Sequence, residues 1–149
     1  MMGQAVRDPA KWGSGPSALD DLVLQIEVAE LRRDATALES FARRLSDESA
    51  AMGHELYRAL ADRALGVALV WGGARQQAGA CFERAAAHFA ARHVGFQLGR
   101  AQLAWGRAAR DSGDASAARW HLLAAIEAFD DVGAAPAAEA ARRERAALG

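Results

Sequence analysis

The chain has 149 residues, of which 52% are hydrophobic and 25% charged, and its formal net charge is −1. This size and composition are typical of one globular domain with its own core, and the near-zero charge excludes a basic field that would attract nucleic acid or an anionic membrane. We find no apolar stretch long enough to span a bilayer and no secretory leader pattern. We therefore expect a cytoplasmic protein that contacts neither membrane nor nucleic acid directly.

The predicted elements are all helical. Glycine and proline are frequent in residues 1–16, so we expect an irregular N-terminal arm there and a helical domain over residues 17–149. Apolar residues then recur at three- and four-residue spacing, which predicts amphipathic helices. Seven such helices are expected, near residues 17–33, 35–52, 54–71, 75–93, 96–111, 115–132 and 136–147.

Punctuating residues define the ends of these helices. Asp34 and Asp114 are expected to cap the second and sixth helices, because an aspartate side chain accepts hydrogen bonds from the free amides of the first turn. Gly53 and Gly95 are expected to end the second and fourth helices, because glycine adopts the left-handed conformation without a Cβ clash. Pro136 suits the first turn of the last helix.

One pattern occurs twice, 40 residues apart. The stretch from Leu65 to Ala86 returns between Trp105 and Ile126, with a turn glycine in the middle of each copy. Six pairs of positions match: Gly66 and Gly106, Ala68 and Ala108, Gly73 and Gly113, Ala78 and Ala118, Ala85 and Ala125, and Phe89 and Phe129. Repeated helical hairpins are typical of a solenoid, in which each unit buries its apolar face against the next. We predict an all-α solenoid of three antiparallel hairpins and a C-terminal capping helix.

The string WGRAARDSGDASAA, which begins at Trp105, resembles the tetratricopeptide repeat. It departs from that pattern in a period of about 40 rather than 34 residues and in lacking the closing proline. Longer repeats of this kind are similar to the C-terminal repeat region of large ATP-dependent LuxR-type bacterial transcription regulators, whose end the run FDDVGAAPAAEAARRERAALG resembles. The resemblance covers about residues 19–148. It implies a right-handed solenoid whose concave groove is lined by the first, third and fifth helices.

The resemblance also implies which residues face that groove: Arg63, Val67, Val70, Arg100, Leu103, Arg107 and Arg110. The four on the fifth helix have the spacing i, i+3, i+7, i+10, so they share one face. Guanidinium groups match carboxylates in a bidentate geometry, so we expect a protein or peptide partner, acidic in character. A simpler interpretation is a solvated arginine face that neighbouring Asp and Glu residues neutralise.

The sequence thus favours a protein-interaction module, either a free adaptor or the sensor region of a transcription regulator. Two alternatives remain open. One is a homo-oligomeric structural module, for example a homodimer, associating through Trp71, Trp120 or weakly capped ends, whereas Trp105 is expected in the core. The other is a small-molecule receptor or a helical enzyme that uses the groove as a pocket.

No motif indicates catalysis or a cofactor. His88 and His93 are five residues apart, a spacing that turns them away from each other on a helix, and His121 is isolated from both. The lone Cys81 excludes an intramolecular disulfide and borders an apolar stripe, so a buried thiol is the simplest interpretation. We expect neither enzymatic activity nor a bound metal or cofactor.

Overall fold

The computed structural model describes residues 16–149, so the predicted arm lies outside the described residues except for Pro16. Seven helices follow one another: α1 (Pro16–Leu31), α2 (Ala35–Met52), α3 (Glu55–Trp71), α4 (Arg75–Ala91), α5 (Gly95–Asp111), α6 (Ala115–Asp131) and α7 (Ala135–Ala146). The all-α prediction is confirmed for this part of the chain, which contains no strand. Within it, no helix combines the length and the apolar character needed to cross a membrane.

The turns between the helices share one geometry. A residue with positive φ occurs every 20 positions, at residues 33, 53, 73, 93, 113 and 133. In each turn the next backbone N–H donates to the carbonyl oxygen five residues earlier, at 3.0 Å from Asp34 to Ala29 and at 2.9 Å from Ala134 to Phe129. This bond is the signature of a Schellman motif, which satisfies a free carbonyl at the helix end. From α2 onward the helices therefore begin every 20 residues, and two consecutive helices make up the 40-residue repeat.

The predicted caps of α2 and α6 are confirmed. The Asp34 carboxylate accepts a hydrogen bond from the Ala37 amide at 3.1 Å, and Asp114 accepts one from Ala117 at 3.0 Å. Gly53 has φ 72° after α2, as expected of a residue that ends a helix.

The prediction that Gly95 ends the fourth helix is wrong. His93 takes the left-handed conformation after α4, with φ 58°, and Gly95 is the first residue of α5. The glycine is needed there for close packing, because a Cβ atom at this position would lie 2.5 Å from Val132 Cγ1. This helix end is thus marked by a histidine, one of the few non-glycine residue types that are enriched at positive φ.

The helix pairs α3–α4 and α5–α6 pack in the same way. A Cβ atom on Gly66 would lie 2.6 Å from Phe82 Cε1, and one on Gly106 would lie 3.0 Å from Leu122 Cγ. Phe82 and Leu122 are both fully buried by these contacts. Consecutive helices contact one another throughout, and α3 also contacts α1 and α5. The result is a repeat-like array of seven helices that is compatible with a helical solenoid.

Two adjacent leucines on α6 test this packing. Leu122 is 1% exposed, whereas Leu123 is 39% exposed. We expect Leu122→Ala to lower the free energy of unfolding by about 2–5 kcal/mol, because it leaves a cavity beside Gly106. Leu123→Ala is the matched control and should stay within about 0.5 kcal/mol of the parent in urea titrations. Equal effects of the two substitutions would contradict the packing described here.

His93, whose backbone adopts the left-handed conformation, provides a second test of the fold. Replacing His93 by glycine removes a backbone strain of roughly 1–2 kcal/mol, so we expect His93→Gly to raise the free energy of unfolding by about 1 kcal/mol. Ala90→Gly, within α4 and also exposed, should instead lower it by about 0.5–1 kcal/mol. Thermal melts of both variants beside the parent would measure the difference. A lower melting temperature for His93→Gly would show that its side chain contributes more than its backbone costs.

Candidate partner-binding groove

An open groove with a volume of about 420 Å³ lies between α1, α3 and α5. Its wall also includes Phe82 from α4. Five of the seven residues predicted to face the groove line it: Val67, Val70, Arg100, Arg107 and Arg110. Helices α1, α3 and α5 thus supply most of the groove lining.

The other two predicted residues lie elsewhere. Leu103 does not line the groove; it packs against the core cluster of α6 and α7 that contains Ile126 and Ala138. Arg63 is 3% exposed, and its guanidinium is covered by the carboxylates of α1. Leu103 therefore supports the last helix of the array, and Arg63 is not open to a partner.

A four-residue ionic network joins α1, α3 and α5. Arg63 lies 3.2 Å from Glu30 and 3.8 Å from Glu27. Arg100 donates two parallel hydrogen bonds to the Glu27 carboxylate, at 3.0 and 3.1 Å. Burial alone would raise the pKa of Glu27, but the hydrogen bonds and charge of Arg100, together with the charge of Arg63, lower it. Glu27 therefore stays ionised and links α1 to α5 across α3.

A second ionic cluster connects α5 to α7. Arg107 donates two hydrogen bonds to Glu144, at 2.9 and 2.7 Å, and Arg110 donates a third at 3.3 Å. Arg110 also lies 3.2 Å from Asp111. The hydrogen bond from Arg107 lowers the pKa of Glu144, and the charges of both arginines act in the same direction. Two guanidiniums on α5 thus share one carboxylate of the last helix.

These networks bear on the two interpretations of the arginine face. Arg100, Arg107 and Arg110 are all paired with carboxylates, as the simpler interpretation expected. Arg33 differs, because it stacks over the Trp71 ring at 4.7 Å and makes no ion pair within residues 16–149. The groove therefore presents alternating charges beside an apolar wall, not an uncompensated basic stripe.

Sequence reasoning missed Glu27, Glu30 and Glu144. The first two were within reach, because they precede Val67 and Val70 by one 40-residue repeat and so occupy equivalent groove-facing positions. Glu144 is equivalent to Ala104, and nothing in the repeat indicates an acidic residue there. Its contact with α5 depends on how the last helix packs.

The tryptophans lie in different environments. Trp105 is partly buried and stacks between Phe82, at 6.4 Å, and His121, at 4.0 Å. Trp71 is also partly buried, against the core of the first hairpins, so it offers little free surface for self-association. Trp120 is 64% exposed on α6.

The histidines and the cysteine form no metal site in residues 16–149, where no group of three or more candidate ligands occurs. Cys81 is buried, and burial raises the pKa of its thiol above the ordinary value. His121 is 8% exposed, and its Nδ1 lies 2.9 Å from the Gln102 side-chain oxygen. Cys81 Sγ accepts a hydrogen bond from the Arg84 guanidinium at 3.5 Å.

Comparison of the chain with protein-family models, with curated proteins and with solved structures gives no match. What the groove does is therefore inferred from its own geometry.

The buried histidine predicts a pH dependence of stability. Burial lowers the pKa of His121 below 6.5, so the unfolded chain binds more protons than the folded one at mildly acidic pH. The free energy of unfolding should then fall as the pH decreases through about 6.5. We expect this fall, measured by urea titration between pH 8 and pH 5, to be smaller in His121→Gln and unchanged in the exposed control His93→Gln. An identical profile in all three proteins would exclude His121 as the origin.

Proposed function

We propose that the chain is a tetratricopeptide-like module that binds a short segment of a partner protein in the groove between α1, α3 and α5. The role would be that of an adaptor or of the sensor region of a bacterial transcription regulator. The observation that carries the proposal is the groove itself, where guanidiniums and apolar side chains share one wall. The residue pattern around Trp105 and the 40-residue spacing of the helices support the tetratricopeptide-like assignment.

Arg107 and Arg110 favour a carboxylate ligand. Their side chains are 48% and 41% exposed, and together they hold the single Glu144 carboxylate. An acidic side chain or a C-terminal carboxylate of a partner offers the same two oxygens, so it can replace Glu144 on these guanidiniums. Glu144 then acts as an internal competitor, which limits affinity and disfavours weakly acidic ligands.

An apolar wall next to the guanidiniums favours a mixed peptide. Leu31 is 85% exposed at the groove edge, and Val67 and Val70 line it from α3. Burying an aliphatic or aromatic side chain there contributes roughly 25 cal/mol per Å² of apolar area. The preferred ligand is therefore a peptide with an acidic residue close to a large apolar residue.

A displayed library of random peptides, selected on the immobilised chain, tests this proposal. We expect enrichment of Asp or Glu beside Leu, Phe or Trp, and we would measure the affinity of enriched peptides by fluorescence anisotropy. Arg107→Glu with Arg110→Glu should weaken binding at least about tenfold, which corresponds to about 1.4 kcal/mol. Glu144→Gln should tighten binding, because it removes the competing carboxylate.

Arg44→Glu is the matched charge control, since Arg44 is 65% exposed on α2, away from the groove lining. It should bind the peptides like the parent. Enriched peptides without acidic residues, or affinities that the Arg107 and Arg110 reversals leave unchanged, would refute the proposed site. Circular dichroism would establish that each variant is folded.

A further inference from the structure

The outer face of α1 carries an apolar stripe without a partner among residues 16–149. Leu24, Val28 and Leu31 have the spacing i, i+4, i+7, and they are 63%, 39% and 85% exposed. Side chains at this spacing lie on one face of a helix. A contiguous exposed stripe of this kind is typical of an interaction surface.

The repeat identifies this stripe as an unfilled helix contact. One repeat later, the positions of Leu24 and Val28 are occupied by Ala64 and Ala68, which are 0% and 2% exposed. Both alanines belong to the core cluster in which α1 and α2 pack against α3. In the described residues no helix pair precedes α1, so its equivalent face remains open.

The side chains on this face do not suit a preceding unit of the same repeat. The equivalent positions are alanine on both α3 and α5: Ala64 and Ala104, and Ala68 and Ala108. Small residues at these positions allow close approach of the neighbouring helix. Leu24 and Val28 extend further from α1, so a neighbouring helix with the same side chains that α1 and α2 present to Ala64 and Ala68 would be overpacked there. The face therefore favours a partner at a wider helix spacing.

The charges of α1 indicate which partner fits. Asp21 lies at one end of the stripe and Arg32 at the other, and both are exposed without an ion pair in residues 16–149. If a second α1 packs antiparallel to the first, Asp21 of each copy faces Arg32 of the other, and Leu24 faces Val28. A two-fold axis between two such helices produces both pairings at once, as a closed dimer requires.

The other end of the array does not offer an equivalent surface. The exposed residues of α7 are mostly polar and include Arg142, Arg143 and Arg145. Head-to-tail stacking of chains would place these charges against Leu24 and Val28, which is unfavourable. Self-association through α1 would therefore be two-fold and closed, not filamentous.

We propose that this chain forms a homodimer in which the Leu24–Val28–Leu31 faces of two α1 helices pack antiparallel. This inference shares Leu31 with the peptide-binding proposal, but Leu24 and Val28, through which it is tested, do not line the groove. Leu31 lies at the groove edge in each copy, so the two grooves flank the dimer interface at opposite ends of the paired helices. Each closed dimer thus presents two groove sites.

Sedimentation velocity of the purified chain, from low to high micromolar concentration, tests the dimer. We expect a species of twice the 15.8 kDa chain mass, and its conversion to monomer by Leu24→Glu with Val28→Glu. Leu123→Glu, an exposed leucine on α6, is the matched control and should leave the dimer intact. A monomer at every concentration, or a dimer that persists in the Leu24 and Val28 variant, would overturn the proposal.

Charge reversal tests the antiparallel arrangement. Asp21→Arg should raise the dimer dissociation constant about tenfold, because it places two like charges together at each end of the interface. Adding Arg32→Asp to the same chain should restore the parent value, since the pairs then form with reversed sign. Failure of this second change to rescue dimerisation would overturn the antiparallel pairing.

Discussion

The array depends on one steric rule, the pairing of a large side chain on one helix with a small one on its neighbour. Gly66 on α3 is the small partner of Phe82 on α4, and Gly106 on α5 is the small partner of Leu122 on α6. In α1 and α2 the large and small residues are exchanged: Ile26 on α1 is equivalent to Gly66, and Ala42 on α2 is equivalent to Phe82. Both are buried. The combined volume of the two side chains matters more than which helix carries the larger one, as expected for a close-packed interior. This exchange explains why the sequence of α1 and α2 resembles those of α3–α4 and α5–α6 so weakly.

The charge that the groove presents depends on which of its arginines are paired with carboxylates of the same chain. Arg63 is held in the interior by Glu27 and Glu30, and truncating it would leave both acids without their buried partner. Arg107 and Arg110, by contrast, are partly exposed and share one acid, so their pairing contributes modestly to stability. Arg63 is therefore a buried structural residue outside the groove lining, whereas Arg107 and Arg110 line the groove and are partly exposed. That difference determines which guanidiniums a ligand can reach.

Local signals predicted most of the fold, and long-range packing accounts for what they missed. The helices, the caps at Asp34 and Asp114 and the 40-residue period follow from residues close in sequence, and the structure has each of them. His93 escaped prediction because a non-glycine residue takes the left-handed position there. Leu103 and Glu144 depend on how α7 packs against α5 and α6, which no local pattern specifies. Five of the seven residues that the resemblance indicated line the groove, but it did not indicate the acids that pair with the arginines.

The Glu27–Arg100 pair has a mechanical consequence. It links α1 directly to α5, two helices that are otherwise connected through α3, on the side of the array where the groove lies. In a helical array each unit contacts only its neighbours, so a direct link between α1 and α5 limits how far these two helices can separate. The two charges are 3.0 and 3.1 Å apart, well within the screening length of about 10 Å at 0.1 M ionic strength, so added salt weakens their attraction only modestly. The Glu27–Arg100 pair therefore holds α1 and α5 together across the groove at ordinary ionic strength.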